Sequence, residues 1–397
     1  MKVLQINSVY GLKSTGRIAY DLVQIQNDNS IESCVVSGEG KFSSSDIHVM
    51  SGKLYQKLNI LCTRLFGRHG FYNRFATKRM LKFVKKQSPD VIHLHNIHGH
   101  YINIKMLFDY ISRNNIPVVW TLHDCWAFTG HCPHFDYIGC DKWHSGCGNC
   151  PQKRGYPGSL FFDRSAQNFR DKKALFTSVQ NMHIVTPSAW LASLAQQSYL
   201  SKYPISVIHN GIDTDIFNFT PSDIKKKLSL DEKFIILGMV SDFTSTKGGR
   251  YFLELSKMLN DDEHIVLVSL ADTENLPDNI TAIARTENAQ ELAKYYSMAD
   301  VFVNPTLQDT FPTVNLESLA CGLPVVTFRT GGSPETITEG CGFVVEKGDT
   351  TALYEAVQKV RCGEVSKEEC RKRGREFNRY ERFSEYIPLY RQLADKD

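Results

Sequence analysis

Two acids and a lysine are the most legible chemical groups in this 397-residue chain. In QDTFPTVNLES, Asp309 stands eight positions before Glu317, one acid in a loop and the other in the next helix. Carboxylates placed this way can each grip a polyol by accepting hydrogen bonds from its hydroxyls. Between them, Thr310, Phe311, Pro312, Thr313 and Val314 lead into the helix, whose first amides favour a phosphate or a sugar. Lys247-Gly248-Gly249 comes after the apolar run ILGMVS and a short loop, which puts a cation at the carboxyl edge of a strand. In the first half, His123 and Asp124 succeed VVWTL and lie at another strand's end. Gly11 and Gly16 bracket a short loop after the first strand, ahead of a helix opening at RIAYDL, and allow close backbone approach to an anion. Taken singly, each residue also reads as a solvated lysine, a surface helix acid or a structural histidine. Their joint placement at strand ends favours a site.

A second constellation is made of cysteines. Five of the eleven fall in HDCWAFTGHCPHFDYIGCDKWHSGCGNCP, where Cys147 and Cys150 form a C-x2-C pair preceded by Cys132 and Cys140. A short C-x2-C turn lets two thiolates hold one tetrahedral ion, and four sulfurs would close its shell. The metal would then staple an insertion spanning 125–151 rather than do chemistry. Zinc is the favoured ion. Cys125, His131, His134 and His144 are alternative ligands, and an iron–sulfur cluster or free, redox-active thiols remain open readings.

These groups need strand ends to hold them. Apolar runs at 3–6, 91–94, 118–122, 184–186 and 206–209 alternate with helix-like stretches, and the pattern restarts at 234–240, 265–270, 301–304, 325–328 and 343–345. Alternation of this kind predicts two α/β units with parallel sheets. IHNGIDTDIFNFTPSD, rich in turn formers, places the junction near 210. Leu353, Ala356, Val357 and Val360 give a helical stripe, and the aromatic residues between Phe377 and Tyr390 predict docked helices rather than a solvated tail. No repeat of solenoid or propeller type is present.

Composition narrows the function classes. A net charge of +3 excludes a general nucleic-acid binder. Residues 53–86 nonetheless carry ten Lys or Arg and no acid, so the rest of the chain is net acidic. Leucines and aromatic residues interleave with those charges, which suits helices lying on an anionic membrane surface, against the plainer reading of a solvated face. The first residues lack a cleavable leader pattern, and no apolar run approaches the ~20 residues of a spanning helix. A cytoplasmic, reducing setting is expected.

The D-x7-E arrangement, Lys247-Gly248, NGID at 210–213, GGSPE at 331–335 and the strand-end His123 together resemble glycosyltransferase family 4 over nearly the whole chain. HLHNIHGHYIN, TLHDCWAFTG and the cysteine insertion are similar to a bacterial branch that builds exopolysaccharide, capsule or O-antigen. The resemblance implies a GT-B fold: two Rossmann-like domains, 1–210 on the acceptor side and 211–375 binding the donor, facing across a cleft, with 376–397 crossing back to the first. It implies retaining transfer of a sugar from a nucleotide-diphosphate donor, without a catalytic metal, to a lipid-linked saccharide at the inner face of the membrane. Glu317 would hold the ribose, Asp309 and the 310–314 loop the transferred sugar, and Lys247 the leaving diphosphate. Gly16 would contact that diphosphate or the acceptor side, and His123 the donor sugar near the reacting centre. Two departures stand out: Asp242 replaces an Arg usual five residues before the lysine, with Arg250 as a substitute cation, and Asp309 replaces the usual Glu. A nucleotide-sugar epimerase, a glycogen-type synthase and a non-catalytic partner of the same fold are the competing readings.

Overall fold

The computed structural model describes residues 1–397 except 41, 43, 51, 52, 245, 271–274, 396 and 397, and only the backbone of 53–55; the side chains of Lys53 and Leu54 thus lie outside the described residues. The chain divides into two compact units, Met1–His209 with Arg382–Asp397, and Asn210–Glu381.

The first unit is built on seven parallel strands: β1 (Lys2–Tyr10), β2 (Glu32–Gly40), β3 (Ile47–Val49), β4 (Val91–Leu94), β5 (Val118–Thr121), β6 (Met182–Thr186) and β7 (Ile205–Val207), in the order β3-β2-β1-β4-β5-β6-β7. The second has six: β8 (Phe234–Met239), β9 (Glu263–Val268), β10 (Ile280–Ile283), β11 (Val301–Asn304), β12 (Val325–Phe328) and β13 (Gly342–Val345), in the order β10-β9-β8-β11-β12-β13. Strands β4, β5, β9, β11 and β12 are buried throughout. They are covered on both faces, which is why they read as continuous apolar runs. β2, β3 and β10 are additional to the expected strands: ESCVVSGEG mixes polar and glycine residues into its run, and the other two are short edge pieces.

In each sheet the chain leaves its first strand on one side and returns on the other. The reversal falls between β1 and β4 in the first unit and between β8 and β11 in the second. Loops diverge there at the carboxyl edge and leave room for a ligand. The expected start of the first helix needs correction. It begins at Lys13, so Gly16 lies in its first turn rather than in an open loop. A Cβ on Gly16 would come within 3.2 Å of the Val9 backbone, so the glycine lets the helix pack against the end of β1.

The aromatic tail docks as its composition requires. Phe383, Tyr386, Ile387, Leu389, Tyr390 and Leu393 join one apolar cluster with Val3, Val91, Val119 and Val185 of the first sheet. Their polar ends are satisfied too: the Tyr390 hydroxyl lies 2.6 Å from His93 Nδ1, and that of Tyr386 lies 2.9 Å from Thr121 Oγ1. Phe377 packs instead in the second unit, 5.6 Å from Phe311 between ring centroids. Tyr390→Ala is expected to cost about 3–5 kcal/mol, as for other buried aromatic truncations. Chemical denaturation should show it as an earlier midpoint for the first unit; an unchanged midpoint would mean the tail adds nothing to that core.

Candidate functional site

In the second unit the two strands that flank the reversal carry the predicted groups on their carboxyl-end loops. The loop after β8 holds Lys247, and the loop after β11 holds Asp309. Leu307 N–H donates to Thr246 O at 2.8 Å, which ties the two loops together. Gly248 has φ +84°, and a Cβ there would lie 2.0 Å from Pro305 O; a Cβ on Gly249 would lie 2.3 Å from Asp242 O. Only glycine allows this approach, and it brings Lys247 Nζ to 2.7 Å from Asp309 Oδ2. The lysine side chain is half exposed. Such a pair contributes about 0–1 kcal/mol to stability, so an arriving polyanion can compete for the ammonium.

Asp309 also organises the segment after it. Its Oδ1 accepts from Phe311 N–H at 3.2 Å, and its carbonyl accepts from Gly332 N–H at 3.3 Å, which draws the GGSPE turn to the same edge. Thr310, Phe311 and Pro312 are buried, while Thr313 and Val314, at the start of the helix Thr313–Ala320, are partly open. Glu317 sits further along that helix and is buried, with Tyr296 Oη donating to its Oε2 at 3.1 Å. The structure therefore joins Lys247, Asp309 and the 310–314 segment at one edge and places Glu317 one turn deeper. Asp242 caps its own loop by accepting from Thr244 N–H at 2.9 Å. Arg250, the expected substitute cation, turns to the Tyr251 hydroxyl at 2.6 Å.

The first unit carries a polar cluster at its own carboxyl edge. His95, Asn96, His98, His123, Asp124 and Trp126 line one pocket formed by the loops after β4 and β5. Gln5 Oε1, which can only accept, lies 2.6 Å from His95 Nε2. His95 therefore donates there and accepts at Nδ1 from His123 Nε2, 3.0 Å away. Burial lowers the His123 value to about 4, against the opposing pull of Asp124, so the ring is neutral at pH 7. Asp124 Oδ2 accepts from His98 Nε2 at 2.7 Å, and its Oδ1 accepts from Trp126 N–H at 2.8 Å. His98 Nδ1 faces the Tyr156 hydroxyl at 3.1 Å. His95 and His98 are not among the site residues that sequence reasoning singles out. Their signal is the run of histidines in HLHNIHGH, starting inside β4.

The loop from 122 to 164 lacks strands and is held by side chains. Lys172, fully buried, donates to Trp126 O and, at 2.8 Å, to Thr129 O. Cys132, Cys140, Cys147 and Cys150 all line one small cavity, together with Phe135 and Trp143, whereas Cys125 is not part of its wall. Gly130 N–H points at Cys147 Sγ, 3.1 Å away. Burial pushes the thiol of Cys132 up to about 12 and that of Cys150 to about 11, so both are neutral at pH 7. Among the described residues, no group of three or more His, Cys, Asp or Glu is arranged to hold a metal ion. The four cysteines of the expected zinc site thus share one cavity.

For Asp124, burial pushes the carboxyl up, but the His98 charge and hydrogen bond, His134 and the Trp126 amide outweigh it and hold it at about 2. A depressed acid contributes stability above its unfolded value, 3.8, and loses it as pH falls toward about 2. Asp124→Asn should lower stability by roughly 2 kcal/mol at pH 7, with the deficit shrinking below pH ~4. Urea titrations across that range check it; a deficit independent of pH would remove the carboxylate's charge as its cause.

The description "Glycosyltransferase Family 4" matches residues 16–216, and "Glycosyl transferases group 1" matches 221–377. Among curated proteins, a putative colanic acid biosynthesis glycosyl transferase, WcaC of Escherichia coli K12, is 24% identical over 89% of this chain and 90% of its own. Among solved structures, sucrose-phosphate synthase from Thermosynechococcus elongatus superposes with TM-score 0.70 at 16% identity, over 99% of this chain and 98% of its own. HepE of Anabaena, solved in complex with UDP, gives 0.68 at 13% identity, over 99% of this chain and all of its own. Two Rossmann-like units with parallel sheets, a GT-B likeness along the whole chain and family matches to both halves agree: the chain belongs to glycosyltransferase family 4 and is a glycosyltransferase of GT-B fold.

Proposed function

We propose that the enzyme transfers a sugar, with retention, from a nucleoside diphosphate sugar to a lipid-linked saccharide during synthesis of a bacterial surface polysaccharide. The observation that carries this reading is the Lys247–Asp309 pair at the strand reversal of the second sheet. HepE binds UDP and UDP-glucose, and WcaC is named for colanic acid biosynthesis; both names support the substrate class. Lys247 exchanges Asp309 for the diphosphate and offsets the charge that develops as the leaving group departs. Asp309, released, accepts from hydroxyls of the transferred sugar, helped by the 310–314 segment, and Glu317 holds the ribose. By the family resemblance, His123 would contact the donor sugar, and Gly16 the diphosphate or the acceptor. A preplaced cation does the electrostatic work, so no catalytic metal is invoked.

Thermal shift and slow donor hydrolysis across UDP-, GDP-, ADP- and dTDP-sugars test this reading. One donor should stabilise the protein and be hydrolysed. Lys247→Ala should cut hydrolysis by about 10²–10³-fold, the scale of losing one charge-stabilising group. Glu317→Ala should abolish the thermal shift. If both variants behave like wild type across the panel, the site assignment fails.

We also propose a structural zinc drawn in by Cys132, Cys140, Cys147 and Cys150. The shared cavity supports it, as do backbone N–H groups directed at Cys147 from Gly130 and at Cys150 from Gln152, donors that favour thiolates. Elemental analysis of protein purified without chelator should find about one zinc per chain, and Cys147→Ser with Cys150→Ser should lose it. Metal-free protein with wild-type stability would end the idea.

We place the enzyme in the cytoplasm, at the inner membrane face. No helix among the described residues is long and apolar enough to cross a membrane. Contact would run through residues 53–86, where Arg74, Lys78, Arg79, Lys82, Lys85 and Lys86 all reach solvent, wholly or in part.

A further inference from the structure

The helix Lys53–Phe66 carries large apolar side chains on its outer face. Asn59 and Thr63 face inward and are buried, whereas Leu58 and Leu61 are 49% and 51% exposed. Lys57 and Arg64 lie on the same outward stripe, at helical spacing from Leu61. In water this arrangement sacrifices apolar burial, the main favourable term in helix docking. An apolar, anionic cover over the stripe would recover that burial and pair the cations.

A second apolar element adjoins it. Near the end of the strandless loop 122–164, Leu160, Phe161 and Phe162 are consecutive and 54%, 66% and 47% exposed. They are not loosely attached. Leu160 N–H donates to Arg64 O at 2.7 Å, and Ser159 Oγ donates to Phe162 O at 2.6 Å. Gly67 closes the helix end against them: its φ is +69°, and a Cβ there would lie 2.8 Å from Phe162 O. Asn168 Nδ2 holds Gly67 O from behind at 2.8 Å. The backbone is thus pinned with three large apolar side chains turned to solvent beside Phe66, itself exposed. An exposed patch of this kind marks an interaction surface.

Charge identifies the partner. Residues 53–86 contain no acid. Arg164 lies over the Phe162 ring at 5.3 Å. The neighbouring acids are engaged: Asp163 accepts from the backbone N–H groups of Cys150 and Ser165, and Asp171 pairs with Arg68 at 2.6 Å. Apolar side chains ringed by cations and held on a rigid backbone match the interfacial layer of an anionic bilayer, where rings enter the acyl boundary and cations stay at the headgroups.

We propose that Leu160, Phe161 and Phe162, with the outward leucines of the helix Lys53–Phe66, form a wedge that inserts into an anionic lipid surface. This deepens the membrane reading above and rests on it: the basic helices attract, and the end of the strandless loop anchors.

The test uses the full chain and vesicles of equal parts phosphatidylglycerol and phosphatidylcholine, against phosphatidylcholine alone. Wild type should co-float with the anionic vesicles. Phe161→Ser should weaken partitioning by about tenfold or more, the scale for withdrawing a large apolar side chain from a nonpolar phase. Phe219→Ser, an exposed position in the second unit, should change nothing. Phe161→Trp should be quenched by lipids brominated near the headgroup. Triple reversal of Lys82, Lys85 and Lys86 to Glu should remove binding at low salt. If charge reversal abolishes binding while Phe161→Ser and the quenching leave no mark, the wedge is wrong and the basic surface alone carries attachment. If wild type binds neither vesicle, both readings fall. If light scattering shows a dimer that Phe161→Ser dissolves, with no vesicle binding, the patch joins two copies and the wedge is overturned.

Discussion

The candidate donor site depends on one close approach, that of the Gly248 backbone to the carbonyl of Pro305. A parallel sheet sets β8 and β11 side by side although about sixty residues separate the loops that leave them. Adjacent strands alone do not bring the two loops into contact. With a Cβ at 248 excluded because it would lie 2.0 Å from Pro305 O, only glycine lets the β8 loop settle on the β11 loop and deliver an ammonium to Asp309. The charged arrangement at this edge grows from that contact, because Asp309 in turn orders the Phe311 amide and draws in Gly332.

Much of this is legible in the sequence for physical reasons. Central strands of a doubly covered sheet must be apolar on both faces, so Val91–Leu94, Val301–Asn304 and Val325–Phe328 announce themselves by continuity. The helical stripe from Leu353 to Val360 is buried as its spacing requires. Glu32–Gly40, one strand in from the edge, breaks its apolar run with polar and glycine residues, and the edge strand Ile280–Ile283 is short and only partly buried, which hides both. The start of the first helix is obscured for a different reason. Lys13 opens it with φ +57°, a left-handed conformation uncommon for lysine and not announced by local propensity.

Side-chain relations between distant loops are less legible. Lys247 and Asp309 stand out because glycines flank one and a spaced acid accompanies the other. His98 has no such flag, and its pairing with Asp124 needs the loops after β4 and β5 to meet. Histidines in a row read equally well as core or as ligands until the fold decides. Here it assigns them in layers: His93 to the tyrosines of the C-terminal tail, His95 to Gln5 and His123, and His98 to Asp124. The outermost of these layers reaches Tyr156, a residue of the strandless loop 122–164.

That contact ties the strandless loop to the pocket. A segment of some forty residues without strands carries a large conformational entropy cost, on the order of 1–2 kcal/mol for each backbone residue ordered. It is offset by few devices: the Phe128, Phe135 and Trp143 rings, the buried Lys172 that binds two of its carbonyls, and the cysteine cavity. One end of the ordered segment begins at His123 and Asp124, and its far end presents Leu160 to Phe162 beside the helix Lys53–Phe66. One strandless loop thus carries both the polar pocket at the sheet edge and the apolar surface patch, each held by its own set of contacts.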